Sequence, residues 1–219
     1  VKLRTSLMFC MTADKERPCK TFAITSARPS EGKSLTAANI AVSYAMLGKK
    51  VILIDADMRK PTQRRLWKID AAVGLCDYLA KICKLKLTKV KDLPLWIVCT
   101  GTIPPNPSEL LSSDRMKRFV EECAKFYDYV IIDTPPINTV ADAQIISTYV
   151  DGVVLVAKSG ATTSDELNAA VDAVRRAGGN LCGAVLNDVN IKSAKYSYKY
   201  KDGKKYGYKY TYADPYETQ

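Results

Sequence analysis

The segment Ser26-Ala27-Arg28-Pro29-Ser30-Glu31-Gly32-Lys33-Ser34 follows the apolar and β-branched run Thr21 to Thr25 and leads into a stretch of helical period. A loop of this kind between a strand and a helix can cradle phosphate, because backbone N–H groups and the positive end of the helix dipole both face a bound anion. In that arrangement, a Walker A loop, Lys33 neutralises the outer phosphates and the Ser34 hydroxyl ligates Mg²⁺, while Ala27, Pro29, Ser30, Glu31, Gly32 and Leu35 complete the cradle. Position 27 holds alanine where the standard pattern has glycine.

Two further runs end in acids. Val51-Ile52-Leu53-Ile54-Asp55-Ala56-Asp57-Met58-Arg59 reads as a buried strand closing on two carboxylates and an arginine. Period-two alternation puts Asp55 and Asp57 on one side of an extended chain, at the edge where the phosphate loop also emerges. Carboxylates there can hold a cation or its waters, or accept a proton from an attacking hydroxyl. The plainer reading is that they cap the strand or pair with Arg59. Tyr129-Val130-Ile131-Ile132-Asp133-Thr134-Pro135-Pro136 again leads apolar residues into a carboxylate, which suits an aspartate beside Mg²⁺. One strand-terminal Asp would be weak evidence; strand ends of this kind at all these runs point to a nucleotide site, without saying which reaction follows.

Eight of the thirteen tyrosines fall in the last 24 residues, at Tyr196, Tyr198, Tyr200, Tyr206, Tyr208, Tyr210, Tyr212 and Tyr216. Behind a phosphate-binding body, such a cluster suggests a phosphoryl-transfer enzyme that carries its own acceptors. Each phosphate adds roughly −1.5 to −2 charges near neutral pH. Residues 191–219 hold seven lysines against three acids, so a few modifications cancel the excess and then invert it. Tyr196 lies about 10 residues past Leu186, and an extended chain covers at most about 3.3 to 3.6 Å per residue, so the cluster can reach its own site or a neighbour's. The alternation of tyrosine and lysine around Asp202-Gly203 also fits a β-hairpin, although a lone two-stranded ribbon is marginal in water. Stacking of single-stranded nucleic acid is another reading of basic and aromatic residues. No nucleic acid partner is expected, because the net charge of +10 is partly the tail's and nucleotide phosphates call for positive charge as well.

The elements that must position these residues alternate. Strands are expected at Thr21 to Thr25, Val51 to Asp55, Leu95 to Cys99, Tyr129 to Asp133, Gly152 to Ala157 and Leu181 to Leu186. Helices are expected at Gly32 to Leu47, Ser113 to Phe126, Ala141 to Tyr149 and Ser164 to Ala177. The alternation predicts an α/β fold, a mostly parallel twisted sheet with helices on both faces joined by right-handed crossovers. Residues 1–190 form one domain in this reading and 191–219 a flexible tyrosine-rich tail. Ser164 is expected to cap its helix, Gly178 and Gly179 to stop it, and Pro104-Pro105-Asn106-Pro107 to be a loop.

At 219 residues with 47% apolar content, the chain has enough material for one ordinary core. The complete lack of histidine removes histidine triads, histidine metal sites and the catalytic loop of eukaryotic-type kinases, leaving carboxylates, lysine, arginine, hydroxyls or a bound cation to do chemistry. Seven scattered cysteines without a C-x-x-C pair predict a reducing cytoplasm and no disulfide framework. The apolar runs fall far short of the ~20 residues of a membrane span. Val1 already reads as structure, so the natural start is expected upstream.

The combination resembles the bacterial tyrosine kinases of capsular and exopolysaccharide operons. The resemblance rests on Ala27 to Ser34 as Walker A, Ile52 to Arg59 as the family's additional Walker A′ with its D-x-D-x-R, Ile131 to Pro136 as Walker B, Pro105 to Leu111, and the terminal tyrosines. It covers nearly the whole chain. It implies autophosphorylation of the tail by Mg-ATP, with Lys33 and Ser34 on phosphates and metal, Asp57 and Asp133 in the metal shell, Arg59 in the catalytic set, and Asp55 orienting or deprotonating the tyrosine. It also implies a membrane adaptor whose cytoplasmic segment recruits the kinase to the inner face of the plasma membrane, a homo-oligomeric ring, and a cognate tyrosine phosphatase. Leu3-Arg4-Thr5 resembles the end of the family's ring-forming helix, whose glutamate is missing here; Val1 to Met11 reads otherwise as an amphipathic helix packed on its own domain. The competing class is a partition or septum-positioning ATPase that uses ATP as a dimerisation switch. Those proteins carry a lysine early in the loop, where this chain has Arg28, and lack the tyrosine tail.

Overall fold

Short apolar and β-branched runs, most of them cut off by a polar turn, form the main strands. The computed structural model describes residues 2–11 and 20–190. Along the chain lie α1 (Lys2–Met11), β1 (Thr21–Ser26), α2 (Lys33–Ala45), β2 (Val51–Asp55), α3 (Gln63–Leu66), α4 (Leu75–Leu79), β3 (Thr88–Lys89), β4 (Leu95–Val98), α5 (Pro107–Ser112), α6 (Asp114–Phe126), β5 (Tyr129–Asp133), α7 (Asp142–Ser147), β6 (Gly152–Lys158), α8 (Ser164–Arg176) and β7 (Leu181–Asn187). The strand order is β3-β4-β2-β5-β1-β6-β7, with β3 antiparallel to β4 and the remaining pairs parallel.

Central parallel strands are covered on both faces, and the period of two divides their side chains between two cores. Phe22, Ile24, Leu53 and Ile131 pack with Ile40 and Tyr44 of α2 and Leu7 of α1. Ala23, Ile52, Ile54 and Ile132 face the other way, onto Phe119 of α6, Ile146 of α7 and Val174 of α8. This is the expected α/β sheet with helices on both faces.

Several boundaries depart from the expectation. Pro107 is not loop but the first residue of α5, a position where the missing N–H has no intrahelical partner to lose. The N-cap of α8 is Thr163, one residue before Ser164, because its hydroxyl accepts from the Glu166 amide in a reciprocal capping box. Residues 2–11 form a helix on the domain's own surface: Leu7 is buried and Arg4 Nη1 donates to the Ser43 carbonyl at 3.2 Å. The tyrosine cluster from Tyr196 to Tyr216 lies outside the described residues, as do the hairpin and flexible-tail expectations placed on it.

The order β2-β5-β1 sets the phosphate loop and the two acid-ending strands side by side. Asp55 is the register partner of Asp133, and Asp133 that of Ile24. Three segments far apart in sequence thus end on one stretch of the sheet edge.

Candidate active site

The loop between β1 and α2 owes its shape to two residues with positive φ, Ser30 at 65° and Gly32 at 88°. At Gly32 a Cβ would lie 2.1 Å from Asn187 Nδ2, and that amide donates to the Glu31 carbonyl at 3.0 Å. Glycine is therefore required both by conformation and by the close approach of β7's end. Ala27 is not among the positive-φ residues, so nothing in its backbone demands the pattern's glycine. Glu31 turns inward: it is 3% exposed, its Oε2 accepts from the Arg28 amide at 2.9 Å, and its Oε1 accepts from the Thr162 hydroxyl. Glu31 thus braces the loop from behind and Ala27 is buried, while Pro29, Ser30, Gly32, Lys33, Ser34 and Leu35 line a cleft of about 420 Å³.

Beneath the loop is a compact charged cluster. The Lys33 ammonium sits 2.8 Å from Asp57 Oδ2 and 3.8 Å from Asp133 Oδ1, and donates to Ser34 Oγ at 3.2 Å. Burial disfavours the charged amine, but Asp133 and Asp57 outweigh it and hold the Lys33 pKa above its ordinary value. Asp57 also accepts from the Lys60 amide at 2.9 Å. Asp55 Oδ2 accepts from the Thr62 and Gln63 amides at 3.1 and 2.9 Å. Asp55 and Asp133 are both fully buried, and the Oδ1 atom of each has no hydrogen-bond partner among the described residues. Burial, and next the charge of Asp133, pushes Asp55 up to about 8. Burial also raises Asp133, opposed in part by Lys33 and the amide of Gln63.

The far wall of the cleft carries Asp57, Arg59, Lys60 and Arg65, with Pro135 and Pro136 beside them. Arg59 is tied down: Nε donates to Asp142 Oδ2 at 2.8 Å, and Nη2 to Asp142 Oδ1 and Ser108 Oγ at 3.1 Å each. Ser108 in turn donates to Asp142 at 2.6 Å, so the run after β2 is pinned to the first turns of α5 and α7. All the expected site residues of the described chain therefore meet at one edge. Asp55 and Asp133 lie behind the cleft rather than on it. Gln63, Asp142, Thr162 and Asn187 join the site without any local signal, since each is delivered by the fold from outside the motifs.

A phosphate loop at a helix start, flanked by acid-ending strands of a parallel sheet, defines a P-loop α/β protein that binds nucleotide. Residues 19–177 match the family described as an AAA domain. The chain is 44% identical over 199 residues to the tyrosine-protein kinase YwqD of Bacillus subtilis strain 168, covering 90% of this chain and 83% of that one. It is 38% identical over 203 residues to the putative tyrosine-protein kinase CapB of Staphylococcus aureus, covering 90% and 87%. Among solved structures, the kinase domain of the Escherichia coli tyrosine kinase ETK superposes with a TM-score of 0.82 at 36% identity, over 90% of this chain and 78% of that one. The septum site-determining protein MinD of Pyrococcus horikoshii shares the fold alone, at 20% identity and a TM-score of 0.65 over 76% and 69%. The chain belongs to the bacterial tyrosine-protein kinases of P-loop type.

Proposed function

We propose that this kinase transfers the γ-phosphoryl group of ATP to tyrosine hydroxyls, first to those from Tyr196 to Tyr216, and thereby regulates capsular or exopolysaccharide synthesis and export. The observation that carries the reading is the gathering of Lys33, Ser34, Asp57 and Asp133 beneath the phosphate loop, with Lys33 Nζ within 4 Å of both carboxylates. The tyrosine oxygen forms a bond to the γ-phosphorus as the bond to the bridging oxygen of ADP breaks, and the phenolic proton passes to a carboxylate.

Mg²⁺ fits the same residues. Ser34 Oγ, Asp57 and the Oδ1 of Asp133, which faces Lys33 and has no hydrogen-bond partner among the described residues, supply hard oxygen donors. A bound Mg²⁺ neutralises charge on the phosphates, and it is ordinarily held by one or two carboxylates with water and phosphate oxygens completing its shell. Lys33 would exchange Asp57 for the outer phosphates as nucleotide enters. Asp55 takes the role of orienting or deprotonating the tyrosine. Its burial gives that role a structural condition: the Thr62–Gln63 turn over Oδ2 must open, or the hydroxyl must reach Oδ1.

Residues 1–190 act as the kinase domain and 191–219 as the acceptor tail in this proposal. The remaining family expectations go with it: a membrane adaptor that recruits the kinase to the inner membrane face, assembly of copies into a ring, and a phosphatase that resets the tail. Among the described residues no helix is long and apolar enough to cross a membrane. The dimerisation-switch ATPase is not favoured, because the likeness to that class extends to the fold alone.

The test is intact mass and peptide mapping after incubation with Mg-ATP, for the parent and Lys33→Met, with and without an adaptor-type cytoplasmic peptide. Successive phosphate gains on Tyr196 to Tyr216 in the parent, and none in the variant, are the expected result. Unmodified tyrosines alongside steady ADP release would overturn it in favour of the ATPase.

A further inference from the structure

Gln63 belongs to none of the motifs, yet it is fully buried at the junction of all three. Its Nε2 donates to Asp133 Oδ2 at 2.8 Å and to the Ser34 carbonyl at 3.0 Å. Its Oε1 accepts from the Trp67 indole at 3.0 Å, and its backbone amide donates to Asp55. An indole N–H can only donate, so it fixes the amide with oxygen toward Trp67 and nitrogen toward Asp133. Both amide protons are then spent, one on the Walker B carboxylate and one on the first turn of the Walker A helix.

The consequence lies in what is left over. With Oδ2 of Asp133 engaged by Gln63, the carboxylate presents Oδ1, which has no hydrogen-bond partner among the described residues and faces the Lys33 ammonium at 3.8 Å. The second amide bond links that orientation to Ser34, the residue whose hydroxyl would share the same cation. We infer that Gln63 is a positioning residue for the divalent cation: it selects the metal-facing oxygen of Asp133 and sets its spacing from Ser34, while Trp67 holds the amide in the productive sense. This rests on the kinase reading of the site. An amide suits the task better than a charged group would, because a lysine here would compete with the cation and a carboxylate would repel Asp133.

The test is titration of Mg²⁺ against ADP binding by calorimetry, in the parent, Gln63→Met and Trp67→Phe, with metal-free ADP binding measured beside it. Gln63→Met keeps the length of the side chain but neither donor. Its Mg²⁺ midpoint is expected to rise about 10- to 100-fold, the usual range for partners of metal ligands, with metal-free ADP affinity nearly unchanged. Trp67→Phe leaves the amide in place but unanchored, and is expected to shift the midpoint in the same direction by less. It carries the test alone if Gln63→Met does not fold. A folded Gln63→Met with the parental Mg²⁺ midpoint, or one that weakens ADP equally with and without metal, overturns the inference while leaving the kinase reading intact. A parent that binds ADP without responding to Mg²⁺ brings down both.

Discussion

Asp55 is the residue whose chemistry the fold perturbs most visibly. Its carboxyl is sealed in, one oxygen held by two backbone amides and the other without a hydrogen-bond partner among the described residues, with Asp133 opposite it on the adjacent strand. Burial first, and Asp133 second, lift its pKa from 3.8 to about 8 in the protein without metal. Folding therefore takes up a proton wherever the unfolded chain has lost it, and the sign follows: this group favours the folded state fully below pH 3.8 and loses that contribution as pH climbs to about 8. Asp55→Asn keeps an acceptor for the Thr62 and Gln63 amides without the charge. In chelator, its melting temperature should match the parent near the acid end and exceed it by several degrees at the alkaline end, since about 1 kcal/mol moves a domain of this size by about 2–4 °C. Thermal unfolding across that range checks it; parallel curves for the two proteins would show that Asp55 is not the group responsible. The same substitution should abolish tyrosine transfer, so stability and activity would move in opposite directions.

Short elements hold the site together. Arg59, Ser108 and Asp142 tie the end of the Walker A′ run to α5 and α7, with Asp142 fully buried and Arg59 side chain 40% exposed. Because water can take over part of the arginine's shell, Asp142→Ala should cost about 1.5–3 kcal/mol, nearer the lower figure. Asp142→Asn, which keeps one acceptor, should fall between it and the parent in urea unfolding. Strands β2, β5 and β6 could be read in advance because each is a nearly continuous apolar run ending at a charged residue, and α6 and α8 because acids, caps and spacing agree. The elements that could not be read are those with no such agreement. Gln63-Arg64-Arg65-Leu66 offers four residues and no side-chain cap, and Thr88-Lys89 is a strand only because β4 is there to pair with it. Pro107 looked like punctuation and is a helix start. At the site, the motif residues were legible because each motif is contiguous. Gln63 and Asp142 were not, because their importance is made by contacts with Asp133, 70 residues away, and Arg59, 83 residues away.

On the scale of the whole molecule, charge decides how acceptor and site meet. The cleft is lined by Lys33, Arg59, Lys60 and Arg65 against Asp57, and the tail carries seven lysines against three acids. Two basic surfaces do not attract each other. Once ATP occupies the cleft, its phosphates would place negative charge beside the acceptor, and the unmodified tail should be drawn in; each phosphate then adds roughly −1.5 to −2 charges, so the tail should be expelled as modification proceeds. The first phosphates should therefore go on faster than the later ones. The initial rate should fall as salt rises from about 50 to about 300 mM, because screening shortens the reach of these charges below about 10 Å. Replacing the tail's lysines by glutamine should lower the initial rate at low salt and remove most of its salt dependence. Time-resolved intact mass, with ATP affinity measured at each salt, separates this from any effect on nucleotide binding. Equal rates for early and late phosphates, insensitive to salt and to the lysines, would mean that contact shape and not charge brings the tail to the site.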